Sequence, residues 1–227
     1  MEEFVESRKS SKAKRPKLKY RKGNISLVVP EGMDIDEEKI INDNREWVRE
    51  HIKKAREFDD KIPERDLRPG GEISVFDERR KIVVEKRRSN EIRDNVYLSR
   101  HLVDRTDFMD QLEKVLRQFA REKYEEKASM FIKEIDESYN KIFIRDQKTR
   151  WGSCSSNGNL NFNWRVVLGP EHVFDYIVVH ELVHLEEMNH NQTFWNKVEQ
   201  ILPNYRRSKA WLRDESAKLV FGDRKQM

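Results

Sequence analysis

Hydrophobic positions between residues 107 and 136 recur at steps of three and four. Phe108, Leu112, Val115, Leu116, Phe119, Phe131, Ile132 and Ile135 fall to one side, while Lys, Arg and Glu fill the other. That period predicts a long amphipathic helix with Asp107 as its N-cap. Lys141 to Arg145 reads as a strand, and Asn157-Gly158 is the strongest hairpin signal in the chain. The segment after it alternates, with Leu160, Phe162, Trp164, Val166 and Leu168 on one side and Asn161, Asn163 and Arg165 on the other, which predicts a strand. Gly169-Pro170 then opens an apolar helix that runs through Tyr176, Ile177, Val178 and Val179. Two further helices are expected, from about Gln192 to Leu202 before Pro203 and over 205–219.

The first half of the chain is patterned more weakly. Asn24 to Val29 is a short strand ended by Pro30, and Asp36 caps a helix expected from about Glu37 to Asp59. Pro63, Pro69, Gly70 and Gly71 mark a break. Ile73 to Phe76 and Lys81 to Glu85 form a hairpin around Asp77–Arg80, with a further strand at Asn95–Ser99. The pattern predicts an α+β chain in three parts: a basic flexible leader over 1–22, a strand-rich lobe over 23–106, and a main domain over 107–227.

Composition narrows the function classes. Charged residues make up 39% and hydrophobic ones 36% of 227 residues, enough for a substantial domain with a heavily charged surface. No apolar run approaches the length of a membrane span, and the polar, basic start lacks the apolar core of a secretory signal. Cys154 is the single cysteine, so no internal disulfide forms, and a cytoplasmic location is expected. Residues 8–22 carry nine positive charges and no acid. They read as a solvated leader or as an electrostatic arm for phosphate backbones, the arm giving steep salt dependence.

The chemistry concentrates at His180-Glu181-Leu182-Val183-His184, followed by His190. Residues four apart on a helix share a face, so His180 and His184 can offer ring nitrogens to one Zn2+ ion. Glu181 sits beside them as a general base for a metal-activated water. Only six histidines occur in the chain and three lie within 180–190. The alternative, a solvated helix that happens to carry two histidines, fits poorly with the apolar residues on both sides. His51, His101 and His172 lie away from this motif and are expected on the surface or in local hydrogen bonds.

Arg145, Asp146, Arg150-Trp151-Gly152-Ser153-Cys154, Asn159, Asn161, Asn163-Trp164-Arg165, the histidine motif, Met188-Asn189-His190 and Phe194-Trp195 together resemble the YgjP-like metallopeptidases, a family within the zincins. Leu202 to Tyr205 and Trp211-Leu212 continue the likeness, which is strong over about residues 141–213. The family is also similar to SprT-like proteases, some of which act on DNA-bound protein. The resemblance implies a zincin-like domain with a long helix, a small antiparallel sheet and a metal-binding helix. It implies a zinc-dependent peptidase acting on peptide or protein, with zinc on His180, His184 and His190 and with Glu181 as base. Substrate would lie along an edge strand, expected at Gly158–Val167, with Asn161, Asn163 and Arg165 facing either the cleft or solvent.

Several assignments stay open in the sequence. The third ligand is His190 or, one helix later, Glu199. Glu187 stands where the metzincin pattern has a glycine, so Asn189 would make the reversal in a left-handed conformation. Tyr205, Arg206 and Arg150 are candidates to stabilise the developing oxyanion, although Arg150 and Trp151 are expected rather to lock the strand-turn geometry under the site. Cys154 is read as a small buried residue rather than a fourth ligand. A second function class is a zinc-stabilised module that associates with nucleic acid through its basic N-terminus and hydrolyses nothing. Glu181 discriminates the two, since a purely structural site has no use for that carboxylate.

Overall fold

The computed structural model describes residues 4–21, 23–147 and 150–222. The chain divides into two compact units, 1–63 and 64–227. In the first, β1 (Val5–Ser10) runs parallel to β3 (Asn24–Pro30), and β2 (Lys17–Arg21) runs antiparallel to its other side. Within the flexible leader expected over 1–22, Val5–Ser10 and Lys17–Arg21 are thus the two outer strands of a sheet, and residues 1–3 and 22 lie outside the described residues. The missed signal is Leu18 and Tyr20, which alternate with Lys17, Lys19 and Arg21. The lysines and arginine stand exposed while Leu18 and Tyr20 turn inward, and Tyr20 meets the His51 ring edge-on at 5.1 Å. Helix α1 (Glu37–Asp43), capped by Asp36 as predicted, is followed by α2 (Arg45–Asp60). The expected single helix breaks at Asn44, whose side-chain amide donates to the Ile40 carbonyl. Ile25, Leu27, Val29, Ile41 and Val48 are buried.

The second unit begins with β4 (Glu72–Val75), β5 (Glu78–Glu85), β6 (Glu91–Ile92) and β7 (Val96–Ser99), ordered β4-β5-β7-β6, and a short α3 (Arg100–Val103). The long helix α4 (Phe108–Phe131) follows, capped by Asp107, and a 3-10 turn over Ile132–Glu134 ends it. A break was expected near residue 106. Instead Ile73, Val75, Ile82, Val96 and Leu98 join Leu112, Leu116 and Tyr124 of α4 in one buried cluster. A shared core of that kind holds these strands and the helix in one domain.

A second small sheet carries β8 (Lys141–Arg145), β9 (Gly152–Cys154) and β10 (Asn159–Asn163) in the order β8-β10-β9. It is mixed, since β8 runs parallel and β9 antiparallel to β10. Asn157-Gly158 makes the predicted turn, with Gly158 at φ 68°. The alternation read through Leu168 stops at Asn163, because a 3-10 turn occupies Trp164–Leu168. The buried Asn163 side chain ends the strand. Its carbonyl oxygen accepts from the Arg165 N–H at 3.0 Å, and its amide donates to the Gln147 and Arg150 carbonyls. Arg165 is therefore buried too, ion-paired to Asp146 and laid over the Trp164 ring. Helix α5 (Glu171–Val183), α6 (Gln192–Ile201) and α7 (Tyr205–Glu215) complete the unit, with a 3-10 turn over Ser216–Leu219. The Tyr124 ring stacks on Phe162 at 4.2 Å and on Phe174 at 4.0 Å. Its hydroxyl donates to the Asn163 carbonyl at 3.0 Å, so α4, β10 and α5 are locked together below the histidines. No helix among the described residues is long and apolar enough to cross a membrane.

Candidate metal centre

Helix α5 is apolar nearly all round, with Val173, Phe174, Ile177, Val178, Val179, Leu182 and Val183 all buried. Burial on every side fixes its rotation, and with it the directions of His180 and Glu181. The helix stops at Val183 with His184 as its C-cap. Leu185 and Glu186 donate to carbonyls three residues back, at 2.9 and 3.1 Å, so the last turn tightens. Asn189 was expected to reverse the chain in a left-handed conformation. Among the described non-glycine residues only Phe76 and Asp77 have positive φ. The chain instead turns back through the tightened helix end, and Asn191 caps α6 by accepting from the Phe194 N–H at 2.9 Å.

This turn brings His190 beside the other two histidines. One nitrogen from each of His180, His184 and His190 lies within 4.8 Å of the others. The Nε2 atoms of His180 and His190 are 3.0 Å apart. His184 Nδ1 donates to the Glu187 carbonyl at 2.9 Å, which leaves its Nε2 as the free lone pair. His180 Nδ1 is 3.5 Å from the Tyr176 hydroxyl, a residue the sequence reading passed over. Burial, then the rings of His184 and His190 and the Lys209 ammonium, pull the His180 imidazole down to about 3. Burial, His184 and Lys209 lower His190 as well. Three converging imidazole nitrogens, with the outer nitrogens of His180 and His184 facing oxygen atoms, are the donor set a cation such as zinc takes. Glu199 stands apart from this set, half-buried and paired with Arg206.

Glu181 is 5% exposed and lies against β9. A Cβ built on Gly152 would come within 2.5 Å of Glu181 Oε1, so only glycine leaves room for the carboxylate there. Burial pushes the Glu181 carboxyl up to about 8, opposed by a hydrogen bond from the Cys154 backbone and by the charge of Arg150. Cys154 thus serves through its main chain. Its thiol, pushed up to about 11 by burial and by Glu181, is not part of the three-histidine group.

An aromatic wall bounds the histidines. Trp195 stacks on His190 at 5.6 Å and on Tyr205 at 5.5 Å, and Tyr205 stacks on Tyr176 at 6.2 Å. Of the proposed oxyanion stabilisers, Tyr205 is buried in this stack and Arg206 is held by Glu199. The edge strand expected at Gly158–Val167 is corrected: β10 is the central strand, with β8 and β9 on its two sides, and β9 lies at the edge. Asn161 bonds to Arg145 rather than to any histidine. His51 stacks on Trp47, His101 bonds with Arg105, and His172 bonds with Ser208.

The profile of the YgjP-like metallopeptidase domain matches residues 14–215. The chain belongs to the YgjP-like metallopeptidase family. Its membership makes the chain a metal-dependent hydrolase of protein substrates. Among solved structures, it is similar to the metallopeptidase zymogen abylysin of Pyrococcus abyssi, at 25% identity and a TM-score of 0.35, over 38% of this chain and 86% of that one. It is likewise similar to the zymogen jannalysin of Methanocaldococcus jannaschii, at 26% identity and a TM-score of 0.36, over 43% of this chain and 97% of that one. No curated protein matches the sequence.

Proposed function

We propose that this YgjP-like chain is a zinc-dependent peptidase in which His180, His184 and His190 hold the metal and Glu181 is the general base. The observation that carries the reading is the Glu181 carboxylate. It is buried beside the histidine group, in a space kept clear by Gly152 and oriented by the Cys154 backbone. Burying a carboxylate is costly, and a site that only stabilised the fold would gain nothing from it. Zinc, when bound, supplies Lewis acidity toward water and the scissile carbonyl, lowering the pKa of the water from about 15.7 toward about 7.

The chain's own groups do the rest. Glu181 accepts a proton from the attacking water and returns it to the leaving amine. The Cys154 N–H keeps the carboxylate aimed through that exchange. Tyr176 steadies the outer nitrogen of His180, and the Glu187 carbonyl fixes the His184 tautomer. A substrate in extended conformation runs along β9, an edge strand of its sheet, beside Glu181. The test is Glu181→Gln in the zinc-loaded protein, with hydrolysis of casein and metal content measured together. Zinc is retained and hydrolysis falls by about 100- to 10,000-fold. Activity within a few-fold of wild type removes Glu181 from the role of base.

A further inference from the structure

Lys209 of α7 places an ammonium 4.1 Å from the centroid of the Trp195 ring. That ring is itself stacked 5.6 Å from His190 and lies 6.0 Å from His180. Among the described residues no carboxylate pairs with Lys209, although Arg206 and Arg213 on the same helix pair with Glu199 and Asp214. A fixed positive charge so close to a cation site opposes metal binding by simple Coulomb repulsion. Packing does not require the charge, since the ammonium is exposed and a neutral side chain of the same length would cover Trp195 equally well. A cation held in that position has a use when the third party is an anion.

We propose that Lys209 is a specificity-determining residue that receives a carboxylate of the substrate next to the scissile bond. The inference rests on the peptidase reading above. The indole limits where the ammonium can go, so that a carboxylate meets a cation already in place. The carboxylate has two sources, an acidic side chain flanking the cleaved bond or the substrate's own C-terminus. The repulsion between Lys209 and a bound metal is relieved as the anion arrives, so substrate and metal support one another's binding.

The experiment uses fluorogenic peptides identical except for Glu or Gln beside the cleaved bond, each with a free or an amidated C-terminus. The wild-type protein favours the carboxylate-bearing peptide by about three- to tenfold in kcat/KM, expressed mainly in KM, as expected for a partly exposed charge pair. Lys209→Met brings that ratio to about one, and Lys209→Glu reverses it in favour of a peptide carrying Lys. A preference that follows the Glu/Gln pair assigns the side chain as the source; one that follows amidation assigns the C-terminus. A wild-type ratio near one, or a ratio unchanged in Lys209→Met, overturns the proposal. The same peptides are bound to the Glu181→Gln protein and followed by fluorescence anisotropy, with and without Lys209→Met. A carboxylate preference in binding that Lys209→Met abolishes, together with no hydrolysis by wild type, supports Lys209 and removes the peptidase reading. Equal binding of all the peptides overturns the Lys209 assignment by itself.

Discussion

Gly152→Ala is the sharpest perturbation the structure offers, because it adds a single methyl group at a defined place. The new Cβ would lie 2.5 Å from Glu181 Oε1, 2.6 Å from Cγ and 2.8 Å from Cδ, while ordinary contact begins near 3.4 Å. The overlap approaches about 1 Å, and neither side yields easily. Strand β9 is paired to β10 through Gly152–Phe162 and Cys154–Leu160, and Glu181 projects from a helix buried on every side. Overpacking of this kind costs about 1–3 kcal/mol, which lowers the thermal midpoint of a unit this size by about 2–12 °C. Activity suffers more, since a catalytic group misplaced by about 1 Å loses on the order of 100-fold. The assay measures kcat/KM on one peptide, the melting midpoint and bound zinc, the zinc staying constant. Repeating the substitution in a Glu181→Ala background isolates the clash: with the carboxylate gone, Gly152→Ala costs under about 0.5 kcal/mol. An equal loss of stability in both backgrounds, or a Gly152→Ala enzyme with wild-type kcat/KM, refutes the placement of Glu181 against β9.

His190→Ala lowers zinc affinity by at least about 100-fold, whereas Glu199→Ala, which breaks only the pair with Arg206, changes it by less than a few-fold; competition with a chromogenic chelator measures both, and the reverse order replaces His190 with Glu199 in the ligand set. The metal-free protein should also show a telling dependence on pH. Its Glu181 carboxyl is raised from 4.5 to about 8 by burial, so its contribution to stability is full below 4.5 and is lost as pH rises through about 8. His180 is lowered from 6.5 to about 3, first by burial, so its contribution is present above 6.5 and is lost as pH falls toward about 3. After chelation, Glu181→Gln is therefore more stable than wild type at about pH 9, by a few kcal/mol, and the two are nearly equal at about pH 5. Parallel stability curves for the two proteins would show that Glu181 is not held in a dry site.

How much of this could be read in the sequence depended on how local each signal is. The apolar faces of α4 and α5 and the caps Asp36 and Asp107 are written in neighbouring residues, and the structure returns them. The His180, Glu181 and His184 juxtaposition follows from helix geometry alone. Gly152 and Tyr176 were not legible as parts of the site, because their meaning comes from a strand and a helix face that meet only in the folded chain. Arg165 misled for the same reason. Alternation set it on the polar side of a strand, facing either the cleft or solvent, yet the Asn163 side chain ends β10 one residue before Trp164 and turns Arg165 inward onto Asp146. The basic run at 8–22 hid two strands behind its charge, since alternate lysines mask the Leu18 and Tyr20 period.

The return of His190 shows why a residue-by-residue comparison with the metzincin pattern is a poor guide here. That pattern uses a glycine to leave the helix, and this chain carries Glu187 at the position. The structure needs no left-handed residue, because α5 ends a turn earlier, at His184 itself. The backbone carbonyl of Glu187, freed from helical pairing by that early stop, accepts the Nδ1 proton of His184. The glycine's absence is thus compensated by an earlier helix end, and the compensation has a chemical effect. The bend that carries the chain back to His190 is the same one that holds His184 with its Nε2 lone pair facing the other two rings. The return of His190 and the tautomer of His184 are one structural event, and the side chain of Glu187 braces the same turn by accepting from the Asn191 side-chain amide at 3.2 Å.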